Sequence, residues 1–312
     1  MDVFFTLVTK LLPIYIIICA GFFLTRHHKI DKDSLVKILV YLIAPVVIFH
    51  GVYTLELNAK TLLIPFIFFC ISSVLALTSF ALNRNFKSQS LRGILAFTAG
   101  SGNTGYFGLP VAIALFGESV TGLAVLITFG FVMYENTVGF FLVAKGSHTA
   151  GESIYKLLRL PMLYGFILAV ILNYADIGLG SIYEGFVPNF RGAYVILGSF
   201  IVGSALAGFN TSHIDLPALK RAFLFKFVAW PTIISLLIIV DKNIWHVFFD
   251  VPNLYGAAFL ISIVPLAANT VAYATLLKSE PEKAAFMVFV STLFALVYIP
   301  LLVSVLLPQL IN

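Results

Sequence analysis

Hydrophobic residues in this chain occur in long continuous runs, separated by short polar segments. A run of about 20 apolar residues is what a helix needs to cross the hydrocarbon core of a bilayer. A window of that length predicts ten membrane spans. They cover residues 4–24, 35–55, 61–82, 92–116, 120–144, 154–174, 192–209, 219–240, 254–277 and 284–307. We therefore predict an all-α polytopic membrane protein whose longest loop runs from about residue 175 to residue 191.

The fourth span carries residues that a helix interior should resist. Glycines, an asparagine and a proline crowd the stretch from Gly100 to Pro110, and each Gly costs about 1 kcal/mol and Pro about 3 kcal/mol relative to Ala. Non-helical backbone at membrane depth is tolerated only where it is buried in protein or lines a cavity. A broken helix is expected here. The alternative is that these small residues only allow close helix packing.

Composition supports the membrane assignment. Of the 312 residues, 60% are hydrophobic and only 11% are charged, whereas soluble domains carry about 25% charged residues. The two cysteines, Cys19 and Cys70, lie inside apolar runs, which argues against a disulfide framework or a metal cluster. The net charge of +5 is interpreted as a topology signal, and no nucleic-acid partner is expected.

Basic residues predict the orientation of the spans. Thirteen of the 19 Lys and Arg lie in or beside the odd-numbered loops, and four lie in the even-numbered loops and the N-terminal segment. Positively charged loops face the cytoplasm. Both termini are therefore predicted to lie outside the cytoplasmic (plasma) membrane, with the hydrophilic segment 145–153 on the inner side.

Ten spans with a polar midpoint suggest two inverted five-helix repeats. We predict a first repeat at 1–144, a connecting loop at 145–153 and a second repeat at 154–312. The first span of each half opens with Leu-Pro, and the fourth span of each half carries helix breakers. Interrupted spans at matching positions are the best sequence indicator of a transport site at the membrane midplane.

The candidate substrate-binding residues come from the two interrupted spans. Asparagine amides donate and accept hydrogen bonds, and the N-terminus of a half-helix favours an anion. Pro110 suits the first turn of a second half-helix, where its missing N–H costs nothing. The predicted residues are Asn103, Thr104, Gly105, Gly108 and Pro110 in the fourth span and Pro265, Asn269 and Thr270 in the ninth.

Two charged residues inside spans are candidates for proton coupling or counter-charge. Glu135 is the only acid well inside a predicted span, and an intramembrane carboxyl group is by default a functional hypothesis. Burial favours its neutral form, which makes it a candidate proton carrier. Lys226 is a candidate partner or substrate counter-ion. The alternatives are a structural hydrogen bond for Glu135 and extension of Lys226 to the cytoplasmic interface.

Enzyme motifs are absent from the sequence. It contains no Walker loop and no metal-ligand spacing, and no cofactor or metal is expected. Ser101 lies between two glycines, but nucleophilic catalysis needs a partner base, and His50 is the only remote candidate. We therefore expect a protein that is not an enzyme.

The chain resembles the auxin efflux carrier (AEC) family over essentially its whole length, on the pattern of its bacterial and archaeal members. The pattern Asn103-x-Gly105-x-x-Gly108-x-Pro110 with Phe116-Gly117 is similar to the family's fourth-helix signature. The second half agrees at Gly198, Gly203 to Leu206, Lys226, Trp230-Pro231, Pro265 to Ala274, Ser291 to Leu293 and Pro300-Leu301.

This resemblance implies a fold similar to that of bile acid sodium symporters, with broken helices 4 and 9 crossing beside the substrate. It implies transport of a small organic anion such as malate, malonate or an auxin-like carboxylate. Two departures bear on coupling and on the pocket. The breaks contain no acidic residue, which argues against a sodium site of the bile acid symporter type, and Val264 stands where Met often precedes the proline.

We therefore predict a secondary carrier of a small carboxylate that works by alternating access in the lipid bilayer, and a homodimer is an open prediction. One alternative is a proton- or sodium-coupled importer of the same fold. Another is a membrane receptor or scaffold that does not transport, although a scaffold has no reason to keep two broken helices in matching positions.

Overall fold

A computed structural model describes residues 2–28, 30–86, 88–144, 161–207, 215–277 and 279–306. Within these ranges the chain is built from helices and contains no β-strand. Seven helices among the described residues are long and apolar enough to cross a membrane. They coincide with the predicted spans 1, 2, 3, 5, 7, 8 and 10. The prediction of an all-α membrane protein is confirmed at this level.

The helices are numbered in chain order. They are α1 (Asp2–His28), α2 (Lys32–Ile38), α3 (Ala44–Tyr53), α4 (Ala59–Leu82), α5 (Gln89–Gly100), α6 (Leu109–Phe116), α7 (Thr121–Tyr134), α8 (Phe140–Ala144), α9 (Pro161–Tyr174), α10 (Gly180–Ala207), α11 (Leu216–Phe223), α12 (Trp230–Val240), α13 (Leu254–Ser262), α14 (Asn269–Leu276) and α15 (Pro281–Val305).

Three predicted spans are not single long helices in the described structure. The fourth span consists of α5 and α6, and the ninth consists of α13 and α14, each pair separated by a segment of other geometry. The sixth span is described only from residue 161 onward, as α9. The predicted connecting loop 145–153 lies outside the described residues.

The long loop predicted between residues 175 and 191 is wrong. Helix α10 begins at Gly180, about three turns before the predicted seventh span, and continues to Ala207 with Pro188 inside it. Polar residues such as Glu184, Asn189 and Arg191 lower the hydropathy of its first turns. A hydropathy window detects apolar length and therefore misses a helix that continues with polar residues.

Within the described ranges, five wide helical turns, with hydrogen bonds from residue i to i+5, begin, interrupt or end helical segments. They are Leu39–Ile43, Thr104–Gly108, Glu135–Gly139, Leu224–Ala229 and Asp241–Trp245. Such π-turns are rare and occur often at functional sites. Three of the five contain residues that the sequence indicates as candidates: Thr104, Glu135 and Lys226.

Helix α1 packs closely against α10, the helix that carries Tyr194. A Cβ on Gly203 would collide with the carbonyl oxygen of Ile18, so only glycine lets the two backbones approach this closely. The hydroxyl groups of Thr25 and Ser204 form a hydrogen bond of 2.6 Å across the same interface. The two helices are therefore held close together along this interface.

Candidate functional site

The two interrupted spans meet at their breaks. The backbone N–H of Asn103 donates a hydrogen bond of 2.8 Å to the carbonyl oxygen of Pro265. Asn103 follows the end of α5, and Pro265 lies between α13 and α14. Non-helical backbone leaves polar groups that must be satisfied within the protein at membrane depth. Here each break provides a partner for the other.

A π-turn precedes the α-helix that forms the second half of the fourth span. The π-turn Thr104–Gly108 leads directly into α6, and the N–H of Gly108 donates to the carbonyl oxygen of Asn103 at 2.8 Å. Pro110 lies in the first turn of α6, as expected, but it does not mark the start of helical structure. The first turn of helical backbone after the break therefore lies at Thr104, beside Asn103, before Pro110 is reached.

Side chains from other helices donate hydrogen bonds to the last carbonyl groups of α5, beside the break in the fourth span. Trp230 donates from Nε1 to the carbonyl oxygen of Ala99 at 2.8 Å. Tyr134 donates to the carbonyl oxygens of Ala96 and Phe97 at 3.2 and 3.3 Å. The last carbonyls of a helix need such partners when they are buried. These two aromatic residues therefore stabilise the end of α5.

Side chains on α10 and α15 also form hydrogen bonds with the backbone of the two breaks. The hydroxyl group of Tyr194 donates to the carbonyl oxygen of Gly105 at 3.1 Å. The hydroxyl group of Ser291 accepts a hydrogen bond of 3.1 Å from the N–H of Leu266. Both interrupted segments are thus held by hydrogen bonds from helices distant in sequence.

A cavity of about 90 Å³ lies beside the meeting point of the two breaks. Its polar lining comes from Asn103 and Thr104 at one break, Asn269 at the other, and Thr128 and Glu135. Val40, Ala44 and Ile48, from the predicted second span, supply an apolar wall. Ligand sites typically combine an apolar lining with a few convergent polar groups. This cavity has the composition of a site for a small polar molecule.

Glu135 and Asn269 are hydrogen-bonded inside this cavity. The Nδ2 atom of Asn269 donates to Oε2 of Glu135 at 2.7 Å. The residue Glu135 is 3% exposed, whereas Asn269 is exposed to the cavity. The structural alternative for Glu135, a hydrogen bond to a neighbouring helix, is therefore observed. Its partner is itself a candidate substrate-binding residue.

Lys226 is fully buried. This contradicts the alternative stated from the sequence, in which its side chain extends to the cytoplasmic interface. Its ammonium group has no hydrogen-bond partner among the described residues. It lies 5.5 and 5.3 Å from the ring centroids of Phe131 and Trp230. It also contacts the break directly, because a Cβ on Gly102 would lie 2.6 Å from Nζ. The amino group of Lys226, which carries a positive charge when it is protonated, therefore lies immediately beside the interrupted fourth span.

The structure divides the residues predicted from sequence into two groups. Asn103, Thr104, Gly105, Asn269 and Glu135 line the cavity. The others are buried and do not line it. They are Gly108, Pro110, Pro265, Thr270 and Lys226.

Sequence reasoning missed Gly102, Thr128 and Tyr194, which also line the cavity. Gly102 is one of a cluster of glycines and does not stand out from its neighbours. Thr128 and Tyr194 lie in otherwise ordinary apolar helices. Only tertiary contacts identify them, because no spacing rule links these positions to the breaks.

Metal ligation finds no support in the described residues. They contain no group of three or more His, Cys, Asp or Glu side chains placed to hold a metal ion. Cys19 and Cys70 are free thiols exposed on the helix surfaces.

Two comparisons with known proteins bear on function. Residues 6–153 match the model of a family described as membrane transport protein. The chain is also similar to an uncharacterized transporter of Methanocaldococcus jannaschii, with 24% identity over 309 residues. That similarity covers 93% of this chain and 96% of the archaeal protein.

Proposed function

This chain belongs to the auxin efflux carrier family of membrane transport proteins, and on that premise we propose that it is a secondary carrier of a small organic carboxylate. The membership points to a transporter rather than an enzyme. The substrate would occupy the cavity between the two breaks and cross the membrane by alternating access. Malate, malonate and auxin-like acids are the substrates that the family resemblance favours.

The observation that carries this proposal is the meeting of the two breaks at one polar cavity. The Asn103–Pro265 hydrogen bond joins the breaks, and the side chains of Asn103 and Asn269 both face the cavity beside it. Interrupted helices at matching positions in two halves are typical of transport sites at the membrane midplane. A receptor or scaffold would gain nothing from this arrangement.

The chemistry of the cavity favours an anionic ligand. Amide groups of Asn103 and Asn269 donate hydrogen bonds to a carboxylate, and the half-helices that begin at Thr104 and Asn269 direct their positive ends toward it. Lys226 adds a positive charge behind Gly102. In our proposal Thr104, Gly105 and Thr270 line or support this site, while Gly108, Pro110 and Pro265 shape its backbone.

Helix packing supports an architecture of ten helices in two inverted repeats. Helix α1 packs along α10, and α3 packs along α9. The first pair joins span 1 to span 7, and the second joins span 2 to span 6. Inverted repeats relate span 1 to span 6 and span 2 to span 7, so this exchange converts the first pair into the second. We therefore propose repeats at 1–144 and 154–312, with the fourth and ninth helices crossing between them. Location in the plasma membrane with both termini outside, and assembly as a homodimer, are parts of the same proposal.

A flux assay in proteoliposomes tests the proposal. Malate, malonate and indole-3-acetate serve as labelled probes, and Asn103→Ala and Asn269→Ala are expected to abolish uptake of the transported probe while the protein still folds. Asn189→Ala, on an exposed part of α10, is the matched control and should transport normally. Undiminished flux in both cavity variants would exclude this cavity as the substrate site.

A further inference from the structure

The cavity contains a carboxylate of its own at the position where a substrate carboxylate would bind. Oε2 of Glu135 accepts a hydrogen bond of 2.7 Å from Nδ2 of Asn269. We propose that Glu135 is a tethered competitor of the substrate for Asn269, so that each carboxylate bound requires one proton on Glu135. The transported anion would then move together with a proton. This inference rests on the proposed function and identifies its coupling ion.

Glu135 is held firmly enough to act as such a competitor. It is the first residue of the π-turn Glu135–Gly139. The next residue, Asn136, donates from Nδ2 to the carbonyl oxygen of Val132 at 2.9 Å. Oδ1 of Asn136 accepts a hydrogen bond of 2.8 Å from the hydroxyl group of Tyr273 on α14. The π-turn is therefore attached to the helix that carries Asn269, and the carboxylate stays beside its partner.

Charge balance in the cavity supports the exchange. Among the residues that the structure describes, the titratable groups that interact with Glu135 are Lys226, Tyr106, Tyr134 and Tyr273. Among these, Lys226 alone carries a charge when it is protonated, and its ammonium group has no hydrogen-bond partner among the described residues. One positive charge balances one carboxylate. Two carboxylates that share a buried site do not both remain ionised, and one of them takes up a proton.

The proposed step is a simple proton transfer. When a substrate carboxylate approaches Asn269, an oxygen of Glu135 accepts a proton from water on the side from which the substrate enters. The neutral acid no longer competes for the amide N–H, which then donates to the substrate. After the cavity opens on the other side, the substrate leaves, Glu135 returns its proton to water, and its carboxylate accepts from Asn269 again. One proton thus crosses with each bound carboxylate.

Binding measurements on the purified full chain test this step. Malate, malonate, succinate and indole-3-acetate are screened, and the one that binds most tightly becomes the probe. Between about pH 6 and pH 8 these acids are largely ionised. Over the pH range in which Glu135 is ionised in the empty site, their Kd for the wild-type protein should rise about tenfold for each unit by which the pH increases. The reason is that binding requires the uptake of one proton. Binding in weak buffer should take up about one proton per ligand, which a pH-sensitive dye detects.

The variant Glu135→Gln is the central comparison. Glutamine is nearly isosteric and its carbonyl oxygen still accepts from Asn269, but it carries no charge. Its Kd for the probe should depend on pH less steeply than that of the wild-type protein, and binding should take up about one proton fewer per ligand. Glu56→Gln, in an exposed segment away from the cavity, is the matched control and should retain the wild-type pH dependence.

The outcomes separate the two proposals. A wild-type Kd that does not change with pH, or a Glu135→Gln protein that keeps the wild-type pH dependence, overturns the competition between Glu135 and substrate. If the variant does not fold, proton uptake by the wild-type protein decides alone, and its absence overturns the inference. Failure of every probe to bind at every pH instead counts against the proposed carboxylate carrier.

Discussion

The backbone N–H of Asn103 donates to the carbonyl oxygen of Pro265 across the interface between the two interrupted spans. Each residue lies in the break of its own span, and the hydrogen bond joins them 2.8 Å apart. The backbone itself therefore connects the breaks, without help from either side chain. Four predictions follow from the groups that surround this junction, beyond the flux and pH tests above.

Restoring a helix-forming residue at one break should impair transport without loss of stability. Pro265→Ala supplies an N–H and removes the ring that prevents α13 from continuing into the break. The segment after α13 should then become more helical, and substrate flux should fall at least tenfold while the thermal midpoint is unchanged or higher. Pro188→Ala, within α10 away from the breaks, is the control and should keep full flux. Normal flux in Pro265→Ala would show that the break is not required.

A methyl group at Gly102 should disturb the junction between the break and Lys226. Its Cβ would lie 2.6 Å from Nζ of Lys226 and 3.1 Å from Cγ2 of Val264. Such overpacking costs about 1–3 kcal/mol, and the displaced ammonium group should weaken carboxylate binding. The measurements are the thermal midpoint and the Kd for the transported probe.

Gly185→Ala is the matched control for this prediction. Nothing lies within 4 Å of a Cβ at Gly185, which sits inside α10. Its helix should gain up to about 1 kcal/mol from the higher helix propensity of alanine. Equal thermal midpoints for the two alanine variants would contradict the close contact at Gly102.

Replacement of Trp230 by phenylalanine should destabilise the end of α5. The indole Nε1 donates to the carbonyl oxygen of Ala99 at 2.8 Å, and phenylalanine leaves that buried carbonyl without this donor. An unsatisfied buried acceptor costs about 1–3 kcal/mol, so the thermal midpoint should fall by several degrees. Trp245→Phe changes the other tryptophan, which is 59% exposed, and should shift the midpoint little. A similar effect of both changes would argue against the hydrogen bond as the cause.

Removal of the buried charge at Lys226 should lower both stability and binding. Its fully buried ammonium group interacts electrostatically with the buried carboxylate of Glu135, and removal of one partner of a buried charge pair leaves the other charge without compensation. Lys226→Met should therefore unfold at a lower temperature than the wild-type protein. Loss of the positive charge should weaken carboxylate binding about tenfold or more.

Lys220→Met serves as the matched control for Lys226→Met, since Lys220 is exposed on α11. It should change neither the thermal midpoint nor the affinity. Binding by Lys226→Met that equals wild type would mean that the buried lysine does not act on the ligand.

Much of the fold follows from local properties of the sequence. Hydropathy predicts the spans because a bilayer demands about 20 apolar residues whatever their neighbours are. Helix breakers predict the two breaks because glycine and proline disfavour a helix interior in any context. The error at the start of α10 has the same origin. A polar helical extension such as the one around Glu184 lacks the apolar signal on which the prediction depends.

The arrangement of the site required the tertiary structure. The sequence alone indicated Asn103, Asn269 and Glu135 as candidates, but Glu135 and Asn269 are 134 residues apart. Their hydrogen bond depends on how helices pack, and no local pattern encodes that packing. The same holds for Trp230 and Tyr194, whose side chains satisfy the backbone of the broken fourth span. The sequence by itself thus determined that the chain spans a membrane and where its helices break, because both are local responses to the bilayer. Which groups meet at those breaks was decided by the tertiary structure, because buried backbone and charge need partners from helices distant in sequence.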